Sequence, residues 1–123
     1  MKILIVEDHY LFIKKAIDAI AGDTAGEDSS NPILITATAN AETAQRLLLQ
    51  EKWDWILMDH DLPNGWSGWI LLNNAKPFIQ DSKIIAMSAV PENNKRLIAH
   101  GAHFSINKMD GDFEERLISI MGL

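Results

Sequence analysis

At 123 residues and 47% hydrophobic content, the chain is long enough for one domain with a single core and too short for two. Its formal charge of -6 argues against a reader of nucleic-acid phosphates, and the absence of cysteine excludes disulfides, thiolate chemistry and cysteine-bound zinc. No apolar run reaches the ~20 residues that span a bilayer, and Glu7-Asp8 interrupts the first run too early for a secretory leader, so a cytoplasmic location without membrane insertion is expected.

Residues 2–6 read as a buried, β-branched strand that ends on Glu7-Asp8. Tyr10, Ile13, Ile17 and Ile20 recur at helical spacing, with Lys14, Lys15 and Asp18 on the other face. Gly22 to Pro32 is nearly devoid of apolar residues and predicts a long surface loop. Ile33–Thr38 predicts a strand, and Asn40 is placed to cap a helix through Ala44, Leu47 and Leu48. Residues 54–58 read as the central strand, which delivers Asp59 at its end. A Pro63-Asn64-Gly65 turn then leads to a helix near Ser67–Ala75. Lys83–Met87 predicts a strand ending on Ser88, and Pro91 suits the first turn of a short helix. His103–Asn107 reads as a weak last strand ending on Lys108, and Asp112 with Glu115 forms a capping box before Phe113, Leu117, Ile118 and Met121. Five β-α alternations call for an α/β domain, a parallel sheet with helices on both faces, spanning residues 1–123.

In such a sheet the carboxyl ends of the strands share one edge, where open α/β folds keep their chemistry. Glu7, Asp8 and Asp59 converge there, and like charges so close require a cation. An all-oxygen set without histidine or cysteine suits Mg2+, which takes one or two carboxylates, keeps waters and bridges to phosphate. With the Ser88 hydroxyl and the Lys108 ammonium to bind phosphoryl oxygens, the set is a phosphoryl-transfer arrangement in which Asp59 is the nucleophile. His9, His60, His100 and His103 share no ligand spacing and give no zinc site.

Four segments in this order, ILIVEDH, DWILMDHDLP, IIAMSA and GAHFSINK, resemble those of response-regulator receiver domains, and the resemblance covers the whole chain. It implies a flavodoxin-like, doubly wound five-stranded sheet in the order 2-1-3-4-5 with five helices. It also implies that Asp59 accepts a phosphoryl group from a sensor histidine kinase or a histidine phosphotransfer protein. Glu7, Asp8, Asp59 and the backbone carbonyl of Asp61 would bind magnesium, and Ser88 and Lys108 would hold the phosphoryl oxygens. Such a single-domain receiver is not an enzyme beyond its own phosphorylation and dephosphorylation. It acts through contacts with a downstream protein, not with nucleic acid.

Three departures from that pattern stand out. Glu7 replaces the usual aspartate, Met109 replaces the proline that usually follows the lysine in a cis peptide, and Ser105 stands where the family carries an aromatic switch. Phe104 is expected on the opposite side of the strand, and the Lys108–Met109 bond is expected to be trans or strained. The alternative reading is therefore a pseudo-receiver, an interaction module with a degenerate switch. A remote one is a haloacid-dehalogenase-like phosphatase, from the Asp59-x-Asp61 spacing.

Overall fold

The computed structural model describes residues 1–24 and 32–123. Its elements are β1 (Lys2–Val6), α1 (Tyr10–Thr24), β2 (Leu34–Thr38), α2 (Ala41–Gln50), β3 (Trp55–Asp59), α3 (Gly68–Ala75), β4 (Lys83–Met87), α4 (Pro91–Ala99), β5 (Phe104–Ile106) and α5 (Phe113–Met121). The five strands are all parallel and lie in the order β2-β1-β3-β4-β5. This is the doubly wound, flavodoxin-like sheet. Strands covered on both faces must be apolar at nearly every position, and β3 is buried throughout.

Alternation along the strands divides the core into two layers. Leu4, Val6, Ile56, Met58 and Ala86 pack with Ala44, Leu48, Leu71, Leu72 and Leu97 of α2, α3 and α4. Ile3, Ile5, Leu57 and Ile85 pack on the other face with Ala16, Ile20, Phe113 and Leu117 of α1 and α5. The chain winds in one direction from β1 to β2 and in the other from β1 to β3. That reversal opens a crevice at the carboxyl ends of β1 and β3, where Glu7, Asp8 and Asp59 emerge. Among the described residues no helix is long and apolar enough to cross a membrane.

Several local expectations are corrected. Helix α1 runs on through Gly22 to Thr24, because a glycine in a last turn costs only about 1 kcal/mol against continued pairing. Of the loop expected over 22–32, residues 25–31 lie outside the described residues. Tyr10 is exposed rather than on the buried stripe, whereas Ile13 and Ile17 pack partly buried against the core and Ile20 is buried there beside Ala16 and Ala19. Asp112 precedes α5 but makes no side-chain cap. Strand β5 is only three residues long. Beside it His103 N donates to Ile84 O at 2.9 Å, but the Ile84 amide is met by the His103 ring, whose Nδ1 accepts it at 3.1 Å, in place of a backbone carbonyl. Asn40 does cap α2, its side chain accepting from the Thr43 amide at 2.8 Å. Asn40→Ala should therefore cost about 1 kcal/mol of stability by urea denaturation. An unchanged midpoint would show that the cap contributes nothing.

Candidate functional site

The acidic cluster forms where β1 and β3 end. Glu7 is fully buried and Asp59 is 4% exposed, whereas Asp8 is exposed. Carboxylate oxygens of Glu7, Asp8 and Asp59 lie within 4.8 Å of one another, so all three can face one ion. Lys108, contributed from beyond β5, reaches into the same space. Its Nζ donates to Glu7 Oε1 at 3.1 Å and Oε2 at 2.9 Å, and lies 3.2 Å from Asp59 Oδ1. The ammonium also sits 4.8 Å from the centre of the Phe12 ring, which favours a cation electrostatically.

Burial and the neighbouring Glu7 charge push the Asp59 carboxyl up to about 8, against the opposing pull of Lys108. Burial alone would lower the Lys108 pKa, but its bonds to Glu7 and the charge of Asp59 raise it above the ordinary value. One ammonium does not neutralise three carboxylates. The donor set is all oxygen, in an arrangement that fits a hard divalent cation such as magnesium. Because Asp59 gives up its proton only near pH 8, an ion must displace that proton when it binds at lower pH. Magnesium affinity should thus rise with pH up to about 8 and then level off. Titration calorimetry across that range checks this, and an affinity independent of pH would contradict it.

The backbone around Asp61 suits a ligand role for its carbonyl. Asp61 and Ser67 face each other in an isolated antiparallel bridge, whose hydrogen bonds run from Gly68 N to His60 O (2.7 Å) and from Leu62 N to Trp66 O (3.0 Å). Those bonds flank Asp61, and among the described residues no donor reaches its carbonyl oxygen. The Asp61 side chain is exposed and held away by His60 Nδ1 at 2.8 Å and Asn93 at 3.4 Å. Ser88 is buried next to this edge. Its hydroxyl oxygen accepts from the Val90 amide at 3.1 Å, which leaves the hydroxyl proton free to donate.

Asp59, Lys108, Glu7 and Asp8 are thus brought together, with Ser88 and Asp61 on flanking strand ends. Two contributors escape the sequence reading. Gly68 approaches so closely that a Cβ there would lie 2.0 Å from the Asp59 carbonyl oxygen. Asn94, on α4, donates to the carbonyls of Ser88 (3.1 Å) and Ile106 (3.3 Å), tying β4 to β5 beneath the site. A glycine as the first helical residue, directly after the cap position at Ser67, was the available signal for the first; the second had none. Trp66 is half-buried against the core and lines a cavity of about 220 Å³ with Asn40, Glu42 and Pro63.

The backbone and side chains around Ser105 and Lys108 lie as the sequence implied. No peptide bond among the described residues is cis, so Lys108–Met109 is trans. The Phe104 ring packs 6.2 Å from that of Trp55. Ser105 instead lines a cavity of about 400 Å³ with Asn94, Lys95, Ile98, Asn107 and Arg116.

No family model and no curated protein matches the sequence. The fold, by contrast, is widely shared among solved structures. A CheY-like receiver domain from Methanospirillum hungatei is 21% identical with a TM-score of 0.78, over 98% of this chain and 90% of that one. A two-component response regulator from Clostridium difficile is 18% identical with a TM-score of 0.76, over 99% and 96%. A response regulator from Burkholderia pseudomallei, solved with a phosphorylated aspartic acid, calcium ion and citrate, is 19% identical with a TM-score of 0.72, over 95% of this chain and 64% of that one. The chain has the fold of response-regulator receiver domains.

Proposed function

We propose that residues 1–123 form a receiver domain of a two-component or phosphorelay system, in which Asp59 accepts a phosphoryl group in a magnesium-dependent reaction. The observation that carries this reading is the convergence of Glu7, Asp8 and Asp59 around one position with Lys108 3.2 Å from the Asp59 carboxylate. An Asp59 oxygen attacks the phosphorus of a phosphohistidine on a sensor kinase or phosphotransfer protein. The phosphorus–nitrogen bond breaks, and the imidazole leaves with a proton. When bound, magnesium supplies charge neutralisation for the phosphoryl oxygens, held by Asp8, Asp59 and the Asp61 carbonyl with Glu7 in direct or one-water reach. Lys108 and the Ser88 hydroxyl donate to the remaining oxygens. Leu11, exposed beside Asp8, offers apolar surface to the phosphodonor. The phosphorylated domain then acts on a downstream protein in the cytoplasm.

Incubation with a small phosphodonor and magnesium tests the reading, with uptake followed over time. Ser88→Ala and Lys108→Ala should each slow uptake or shorten retention by about 10-fold or more. Native kinetics in both variants would remove them from the site.

A pseudo-receiver is the second reading, favoured by Ser105, which leaves an open cavity where a switching ring would sit. A phosphoryl group shifts a two-state element only by its differential affinity for the two states. Without the ring, a beryllofluoride phosphate mimic should produce only small amide shifts in α4, β5 and α5. Large shifts across β5 and α5 would show that the coupling runs by another route.

A further inference from the structure

We propose that the cavity between the turns that follow β2 and β3 binds the guanidinium of an arginine side chain presented by a protein partner. The cavity, of about 220 Å³, is walled by Asn40 and Glu42 at the start of α2 and by Pro63, Asn64 and Trp66 of the turn after β3. Glu42 and Trp66 both lack partners that their counterparts elsewhere in the chain have. Each of the other tryptophans has a cation over its ring: Lys2 Nζ is 4.7 Å from the centre of Trp53, Lys83 Nζ 5.2 Å from that of Trp55 and Arg96 Cζ 5.9 Å from that of Trp69. Among the described residues no cation lies over Trp66. Glu42 is exposed, and among the described residues its side chain has no hydrogen-bond or ion-pair partner. Arg46 stands one turn further along α2, in the order that favours an i,i+4 pair, yet the two do not meet.

An exposed glutamate alone is an ordinary solvated charge. Beside a half-buried indole it becomes half of a cation site, because the carboxylate and the negative face of the ring attract the same ligand. None of the residues that line the cavity is basic, so nothing in the wall competes for them. A planar guanidinium suits the pair better than an ammonium, since it can stack on the ring while its N–H donors fan out at its edge. Glu42 can accept two of those donors in a fork. Asn64, whose side chain has no partner among the described residues, can offer its amide oxygen to a third. The opposite wall is held in place by the Asn40 cap, which accepts from the Thr43 amide at 2.8 Å. Position decides the source of the ligand. The walls stand at the carboxyl ends of β2 and β3, the edge on which Asp59 emerges. A phosphodonor must dock on that edge, and the chain's formal charge of -6 favours a basic one. The assignment to a protein's arginine therefore rests on the receiver reading above, whereas capture of a guanidinium does not.

The test is a titration of the chain with methylguanidinium, followed by NMR at the Trp66 indole and at the backbone amides of Glu42 and Asn64. Saturable binding with a Kd of about 1 to 10 mM is expected. The value should be the same with and without saturating magnesium, because the acidic cluster is not the site. Methylurea, similar in shape but neutral, should not bind. Glu42→Gln and Trp66→Leu should each weaken binding by about 5-fold or more. Should Trp66→Leu fail to fold, Glu42→Gln, at an exposed position, decides alone. A Gly-Arg-Gly peptide with blocked ends should bind as tightly as methylguanidinium, and its lysine counterpart about 3-fold or more weaker. Absence of saturation, displacement by magnesium, equal binding of methylurea or an unchanged Kd in Glu42→Gln would overturn the site. Binding of methylguanidinium without binding of the arginine peptide would overturn the partner and make a free small cation the occupant. Failure of the receiver reading would show differently, as absent phosphoryl uptake with guanidinium binding intact.

Discussion

Asp59→Asn is expected to abolish phosphoryl uptake and, without divalent ion, to stabilise the fold as pH rises. Asparagine lacks the anionic oxygen that attacks phosphorus, so the chemical loss is complete. The stability effect follows from burial. Asp59 is 4% exposed and faces Glu7, and its carboxyl is raised from 3.8 to about 8. Across that interval the folded native chain retains a proton that the unfolded chain has released. Native stability therefore falls as pH rises towards about 8, and levels off above it. The variant has no such group and escapes the decline, so its advantage grows to a few kcal/mol near pH 8 in the absence of metal. Magnesium should reverse the order by stabilising the native chain more than the variant. Thermal melts of both proteins with and without magnesium check this. Parallel pH profiles would show that Asp59 carries no such burden.

Gly68→Ala should be the most damaging single methyl added near the site. Its Cβ would meet the Asp59 carbonyl oxygen at 2.0 Å and Met58 Cγ at 2.8 Å. A methionine side chain can move aside, but the carbonyl belongs to the end of a fully buried strand. Either α3 lifts from β3 or the end of β3 twists, and Gly68 N gives up its 2.7 Å bond to His60 O. A cost of about 3 kcal/mol is expected, as for overpacking in a close-packed core. Magnesium affinity should weaken with it, because the same shift moves Asp59 and the Asp61 carbonyl. A urea midpoint within about 0.5 kcal/mol of native, with metal binding intact, would refute this.

The strand ends were legible because each apolar run stops on a chemically distinct residue. Ile3 to Val6 stops on Glu7-Asp8, Trp55 to Met58 on Asp59, and Ile84 to Met87 on Ser88. Their meeting also followed, since parallel alternation sends all carboxyl ends to one edge. What stayed hidden depends on three-dimensional closeness between groups far apart in sequence. The Glu7–Lys108 pair spans 101 positions, and it reflects side-chain length and direction, not pattern. Gly68 is needed because of the path of the turn before it, where Asn64 takes a left-handed backbone conformation. The length of β5 was overestimated because a histidine ring does the work of a backbone group, a substitution periodicity does not report. Asp112 failed as a cap because the chain enters α5 through a tight turn, with Phe113 N bonded to Asp110 O at 3.2 Å.

Phosphorylation-site mapping of the native chain tests the central claim most directly. The chain is incubated with a small phosphodonor, with magnesium and with a chelator, and then digested and analysed by mass. The account predicts one phosphoryl group, carried by Asp59, in the presence of magnesium and little or none with the chelator. No uptake under saturating magnesium, or a phosphoryl group on another residue, would contradict it.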